Sequence, residues 1–510
     1  MFKTYLKNFS EPSIKSWKIN EDQVLISPIK NQYIDIHKLN WSDVSSYSHS
    51  EILWFYSLGA LVKSAIDLLD VDISEQLQEF HDFQVSPDGK YLYDIKFNHS
   101  YDHCMAVRVR YLCLLLAHRH AEIDLVYKII QTDLDWFLSI DSVPKNNHGM
   151  MVCISVLHAC VFLEETLKRQ QLIEKASKIL IGILSSVVPD NYYVYENTIG
   201  YHEFYVKSLK NIHVFLLEYN LCESLTCYVE SLLEHLEHLE HTLYQLVYPD
   251  GGLPPVGQCG SYPTKYQSIA GRFVYNPQGF FVFKDMENYL SFICGFASTI
   301  HKQIDDTSIL LKIGEETVFL DCGLGSYDHR DSKAKVINGQ RGHSGAFFKK
   351  FDHWSMWEFF SSKKIDILEM SLAESNSNII GKKTYKDKDY KYNVSRELAI
   401  RNFYDFSIID TFETDDLFAF PVSRFILPED VKISCLNNIL LICYKTLQVK
   451  ISIKDEFNYS IIPSCEAIEN MSAAFISSAY GVYHNAITLE LMPRVSNILH
   501  MDILIEKTKE

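Results

Sequence analysis

No unbroken run of about 18 apolar residues occurs in the sequence, so no membrane-spanning helix is expected. The opening residues Met1-Phe2-Lys3-Thr4-Tyr5-Leu6-Lys7-Asn8 lack the apolar core of a signal peptide. The expectation from these two absences is a cytoplasmic or periplasmic protein. The 12 cysteines include no Cys-x-x-Cys pair. Cys104, Cys113, Cys153 and Cys160 fall in apolar helical stretches and read as buried free thiols of a reducing compartment, not as a disulfide framework. Basic residues are in deficit: 48 Lys and Arg stand against 65 Asp and Glu, a net charge of −17. That excludes nucleic acid or an anionic membrane as the main partner. An anionic ligand would need a basic lining local to its own cleft. No repeat of fixed period is visible, which excludes a solenoid of near-identical units.

What is present describes a folded chain, 47% apolar and 22% charged over 510 residues, too long for one core. Residues 1–50 read as a lead-in with short strand-like pieces at Gln23–Ile26 and Tyr33–Ile36. From 51 to 250 apolar residues recur at helical spacing, with helices expected over Glu51–Leu69, Met105–His118, Glu122–Phe137, Gly149–Leu167, Leu172–Val187, Phe204–Tyr219 and Leu221–Leu246. Short loops between successive helices imply antiparallel hairpins, as in a bundle or a toroid such as an incomplete α/α toroid. The helical period stops at Tyr248-Pro249-Asp250-Gly251-Gly252. Residues 260–510 are rich in short β-branched and aromatic runs and read as an antiparallel β-sandwich. The lysine-rich stretch Gly381–Tyr392 reads as a solvated hairpin tip.

Three polar clusters interrupt these patterns. Ser298-Thr299-Ile300-His301-Lys302-Gln303-Ile304-Asp305-Asp306-Thr307-Ser308 lies between the apolar run Tyr289–Phe296 and a two-stranded pattern turning at Gly314-Glu315-Glu316, which puts titratable groups at a sheet edge. Asn146-Asn147-His148-Gly149 opens a helix. Asparagine there is a good N-cap, and polar donors at a helix N-terminus also suit a carboxylate ligand. Tyr195-Glu196-Asn197-Thr198-Ile199-Gly200-Tyr201-His202 combines an acid, an amide, a hydroxyl and a Tyr-His pair.

In order and spacing these clusters resemble the heparinase II/III family of polysaccharide lyases. That family writes His-x-His-x-Asp-x-x-Ser, a hairpin, Asp-x-Gly and a later Ala-His-Asn. Here His301, Asp305, Ser308, Asp321-Cys322-Gly323 and Gly342-His343-Ser344 stand in those places, with Gln303 at the second histidine. The family's Glu-Gln-Ser-Pro-x-Tyr-His is matched by Glu196 to His202, with Ile199 for the proline. Its Leu-Pro-Pro-x-Gly-Asp is matched by Leu253 to Gln258, with Gln258 for the acid.

The resemblance implies β-elimination from a 4-linked uronate, on an anionic polysaccharide or oligosaccharide such as a capsular or exopolysaccharide. Asn147 and His148 would neutralise the C6 carboxylate. Tyr201 would protonate the leaving O4, or also act as base when both groups share one sugar face. His301 would be the base, or hold Tyr201 in a reactive state. A cation near Tyr201, such as protonated His301, Lys302 or an arginine, would lower its pKa and make it a better base. Glu196, His202, Lys302 and Arg341 would bind substrate. Bond breaking needs no cofactor. The family's structural zinc would fall to Gln303, Asp321 and His343, and glutamine is a weak zinc ligand. Two other readings remain open: a glycoside hydrolase drawing on Glu196, Asp305 and Asp306, and a non-catalytic glycan-binding protein with a drifted site.

Overall fold

The structure, a computed structural model, describes residues 17–19, 25–26, 33–67, 71–118, 123–219, 221–276, 278–327, 331–375, 378–464 and 475–508. Gln23, Val24, Leu68, Leu69 and Glu122, at the ends of expected elements, lie outside the described residues. The chain forms two compact units. The first comprises the described residues up to Val188 with Lys207–Leu236, and the second Pro189–Val206 with the described residues from Glu237 onward.

Three two-residue strands, β1 (Lys18–Ile19), β2 (Leu25–Ile26) and β3 (Tyr33–Ile34), precede the helices. The helices in order are α1 (His49–Tyr56), α2 (Gly59–Asp67), α3 (Ser74–Val85), α4 (Lys90–Tyr93), α5 (Tyr101–His118), α6 (Ile123–Ser139), α7 (Asn147–Cys160), α8 (Leu167–Val187), α9 (Ile199–Tyr219), α10 (Glu223–Glu234) and α11 (Leu236–Leu246). They build the helical toroid that the period implied.

Two expected helices are broken. Glu51–Leu69 divides at Leu58, whose φ of 61° places it in the left-handed region, where a branched-chain residue ends a helix. Leu221–Leu246 divides at His235, which caps α10. Helix α3 carried no expectation at all. Its apolar residues are few, and only Leu77, Phe80 and Phe83 among them are buried.

Helices α5 and α7 are buried nearly all round, and Ser155 Oγ on α7 donates to the Ala106 carbonyl on α5 at 2.9 Å. The inner helices are tied by one buried ion pair. Arg108 Nε on α5 donates to Asp133 Oδ2 on α6 at 2.9 Å, and Arg108 Nη1 reaches the last carbonyl of α1, at Tyr56, at 2.8 Å. Gln84 of α3 donates to the same aspartate at 3.2 Å. A charge so deep persists because every donor finds an acceptor.

The second unit holds three antiparallel sheets. A meander of β4 (Gly271–Tyr275), β5 (Phe280–Lys284), β6 (Asn288–Ile293), β7 (Ser308–Ile313) and β8 (Glu316–Phe319) forms the first. Short α12 (Ser332–Asn338), β9 (Ala346–Phe348) and α13 (Met356–Phe360) follow. Next come β10 (Asp366–Ser375), β11 (Asn378–Lys386), β12 (Lys391–Asn402), β13 (Asp405–Thr414), β14 (Pro421–Pro428), β15 (Lys432–Leu436), β16 (Ile439–Cys443), β17 (Leu447–Ile453), β18 (Phe457–Pro463), β19 (Phe475–Ala479), β20 (Val482–Pro493) and β21 (Ile498–Lys507). The large sheet runs β10-β11-β12-β13-β21-β17-β16-β15, and the third runs β18-β20-β14-β9 with β19 on β20. Phe292, Leu311, Leu398, Ile408, Phe425, Leu489 and Ile503, from all three sheets, share one apolar core. This is the sandwich expected from the β-branched runs.

One expectation for this half is corrected. The lysine-rich stretch is a solvated hairpin tip only at residues 387–390, where Lys388, Asp389 and Tyr390 are exposed between β11 and β12; before it the stretch is strand β11, in which Lys383 and Tyr385 are buried while Lys382 and Lys386 face water. The period-2 pleat puts every second side chain inward whatever its charge.

Candidate functional site

In the second unit, one hydrogen-bonded junction joins two of the sequence clusters. Asn197 adopts φ 57°, which turns its amide toward residues 298–300. Its Nδ2 donates to the Ser298 carbonyl at 3.0 Å and to the Ile300 carbonyl at 2.7 Å, and Ser298 Oγ donates to the Tyr195 carbonyl at 2.9 Å. The junction fixes the residue after Ile300, His301, against Tyr201 in the first turn of α9. Their rings stack with centroids 3.6 Å apart and planes 16° from parallel.

A third segment closes on the same point. Gly257 has φ 65°, and a Cβ there would lie 2.8 Å from the Asn197 carbonyl, so only glycine fits. The next residue, Gln258, places Oε1 3.0 Å from His301 Nδ1. With the amide oxygen accepting, Nδ1 carries the proton and Nε2 is left as the basic nitrogen. Glu196 Oε2 lies 3.4 Å from that Nε2, and its Oε1 accepts from Tyr205 OH at 2.5 Å.

Tyr201 OH is 3.2 Å from Tyr327 OH. Burial pushes the Tyr201 phenol well above its usual range, and the neighbouring Tyr327 and Glu196 add to the rise. The phenol is therefore a proton donor at neutral pH and a poor base. The expectation that a nearby cation lowers it is corrected. Lys302 is fully buried, held by Asp305 and, at 3.1 Å, by Asp306, and its charge is neutralised there. That pairing leaves Lys302 no group to offer a substrate.

His202 does not face a ligand either. It is fully buried, with Nε2 2.9 Å from the Leu239 carbonyl, and burial lowers its pKa to about 4. Arg341 lines a separate cavity, none of whose lining residues belongs to the Tyr201–His301 group.

Asn147 and His148 belong to the first unit. Asn146 is the N-cap of α7: its side chain accepts from the backbone of His148 at 3.0 Å and of Gly149 at 3.4 Å. Gly149 is required because the Pro144 carbonyl would lie 1.9 Å from any Cβ there. The cap places Asn147 at the first helical position, nearly buried, and leaves the His148 side chain 30% exposed, with Nδ1 3.3 Å from Asp102 Oδ1. Burial opposes the Asp102 charge, but the His148 contact and the His103 backbone amide hold that carboxyl below the usual range.

At the implied zinc positions, His343 Nδ1 lies 3.1 Å from Asp321 Oδ2, and Gln303 Nε2 donates to the Gly323 carbonyl at 2.9 Å and to Asn338 Oδ1 at 2.8 Å. Among the described residues no group of three His, Cys, Asp or Glu side chains is placed to hold a metal. One imidazole and one carboxylate bonded to each other, plus an amide, do not fit zinc.

Three residues of the junction were not read as functional from sequence: Tyr327, Tyr205 and Gln258. Tyr205 lies one helical turn from Tyr201, a signal available in the spacing. Gln258 stood in the sequence only as a replacement for the family's acid. Tyr327 carried no signal in a chain with 31 tyrosines.

No protein-family model and no curated protein sequence matches the chain. Solved structures do. A structure of heparinase III aligns with TM-score 0.71 and 10% identity, covering 99% of this chain and 85% of that one. A mutant of the heparan sulfate lyase HepC from Pedobacter heparinus aligns with TM-score 0.58 and 12% identity, over 99% of this chain and 84% of that one. A second heparinase III gene product aligns with TM-score 0.58 and 10% identity, over 100% and 86%. At these identities the likeness establishes the fold, a helical toroid followed by a β-sandwich. The particular fold is that of the heparinase III and heparan sulfate lyase structures.

Proposed function

We propose that this chain is a polysaccharide lyase that cleaves a 4-linked uronate-containing glycan by β-elimination. The observation that carries the reading is the stack of a protonated phenol, Tyr201, on an imidazole whose tautomer leaves Nε2 basic, His301. Elimination needs that pair of functions: a base for the C5 proton and an acid for the departing O4. His301 Nε2 takes the proton, the C5–H electrons form the C4–C5 double bond, the C4–O4 bond breaks, and Tyr201 protonates O4. Glu196 stabilises the imidazolium that results, much as a carboxylate orients and supports a catalytic histidine elsewhere. Neutralising the C6 carboxylate, the role the family resemblance suggests for Asn147 and His148, would acidify C5–H.

Of the three carboxylates the hydrolase reading draws on, Glu196, Asp305 and Asp306, the two aspartates are committed to Lys302 in a buried cluster. The test is a panel of uronate polymers (heparan sulfate, alginate, hyaluronan, glucuronan and bacterial capsules) followed by ultraviolet absorbance of the unsaturated uronate. Absorbance growing with reducing ends supports the lyase. Reducing ends without absorbance identify a hydrolase, and binding without either identifies a glycan-binding protein.

A further inference from the structure

The β-rich unit contains a cavity of about 200 Å³ whose wall includes Arg341, Lys349, Asp352, His353, Arg424 and Glu490. Its charges do not cancel. Arg424 Nη2 lies 2.9 Å from Asp352 Oδ2 and 2.6 Å from Glu490 Oε1, and Lys349 Nζ lies 2.7 Å from Glu490 Oε2. Gln340 Nε2 also donates to Asp352 Oδ1 at 2.7 Å. Both carboxylates are thus occupied by Arg424, Lys349 and Gln340. Three full cations face two carboxylates, and the excess charge is that of Arg341.

Arg341 is only 9% exposed, and its Nε is buried with no hydrogen-bond partner. Among the described residues it makes no ion pair. Burial lowers its pKa to about 10, although Asp352 lies near enough to oppose that fall. A buried guanidinium without a partner is costly, and proteins keep one where a ligand supplies the missing acceptor.

We infer that this cavity binds one singly charged oxyanion group, a carboxylate or a sulfate, which the planar fork of Arg341 grips through paired N–H donors. One net positive charge matches one such group, and guanidinium geometry suits two oxygens of a carboxylate or sulfate. The group comes either from a small free anion or from an acidic sugar. The inference does not depend on the lyase reading, because its test reads binding and not turnover.

The whole protein is titrated calorimetrically with sodium acetate, methyl sulfate, sodium glucuronate and, as the uncharged control, glucose, with ionic strength held constant by sodium chloride. Saturable binding of at least one anion, and none of glucose, is expected. Arg341→Gln should weaken that binding by about tenfold or more and leave the melting temperature in the absence of anion unchanged or higher, since no native partner is lost. Preference for glucuronate or methyl sulfate over acetate identifies a sugar-borne group, and the reverse identifies a free anion. Failure of every anion to bind, or equal binding by the variant, overturns the inference. A variant that melts much lower without anion would overturn it too, by showing a structural role. If Arg341→Gln does not fold, Arg341→Lys, which keeps the charge without the fork, replaces it, and unchanged anion affinity in that variant refutes the site.

Discussion

Tyr201→Phe separates catalysis from stability by removing one oxygen. The ring that stacks on His301 at 3.6 Å remains. Among the described residues the hydroxyl hydrogen-bonds only to Tyr327 OH, at 3.2 Å, and a neutral bond of that kind contributes about 0.5–1.5 kcal/mol. If the hydroxyl is the proton donor to O4, its loss should cost about a hundredfold to ten-thousandfold in kcat, or about 2.7–5.4 kcal/mol in barrier height. Activity should therefore fall far more than stability. Initial rates come from product absorbance on a substrate the wild type cleaves, and unfolding midpoints from denaturant titration of both proteins. Near-wild-type turnover in the variant refutes the acid role. A stability loss as large as the barrier change would instead make the activity loss an effect of misfolding. The pH profile adds a check. A donor works while it holds its proton, and burial raises this phenol, so the alkaline decline of kcat should lie above the ordinary tyrosine range near about 10.

Gln258→Leu removes the acceptor at His301 Nδ1 and frees the other tautomer; kcat should fall about tenfold or more with KM little changed, and a change confined to KM would count against the tautomer assignment. Lys302→Met strands Asp305 and Asp306 without their cation, so thermal melting should report a loss of about 3–5 kcal/mol; a stable variant with weakened substrate binding would return Lys302 to the substrate. Burial lowers the Lys284 pKa to about 7, with Nζ donating to the Tyr244 carbonyl at 2.7 Å, the Val247 carbonyl at 2.6 Å and Ser268 Oγ at 2.9 Å. Unfolded lysine holds its proton up to about pH 10.4, so between those values the unfolded state binds more protons and stability rises with pH, by up to about 1.4 kcal/mol per unit. That stability is lost as pH falls toward 7. Melting curves between these limits should show the slope in the wild type and a shallower one in Lys284→Met. Lys383, which burial lowers to about 8, contributes a slope of the same sign in both proteins, and equal slopes would refute the Lys284 assignment.

The helical-to-strand change near residue 250 was legible because each half repeats its own period many times, and repeated period is the strongest local signal. Helix α3 was not legible, since its exposed face is so polar that few apolar residues mark a buried stripe. The break at Leu58 was not legible either, because nothing in a branched side chain announces a positive φ. The charges misled in a consistent way. Lys302, Lys383 and His202 were each read as reaching solvent or substrate because of their type, and each is buried on acceptors supplied by residues near or far in the chain. A sequence shows a charge but not the acceptors that tertiary packing brings to it.

The Tyr201–His301 pair shows the opposite case, where local rules select a non-local contact. Neither residue has a periodic reason to meet the other. The contact follows from Asn197, an amide in the left-handed region whose donors reach the 298–300 backbone, and from Gly257, which lets the Gln258 loop approach that same backbone. Asparagine tolerates that region better than most residues, and glycine best of all. Between them they position the proposed acid on a helix and the proposed base on a loop, and set the tautomer of that histidine. Asn197→Ala tests this directly. It removes the donors to Ser298 and Ile300 and strains the backbone at φ 57°. Activity should fall as far as in Tyr201→Phe although no proposed acid or base is touched, and Asn197→Gly, which keeps the backbone but not the amide, should recover stability without recovering turnover. Recovery of turnover by the glycine variant would mean that backbone geometry alone, and not the amide bridge, brings the pair together.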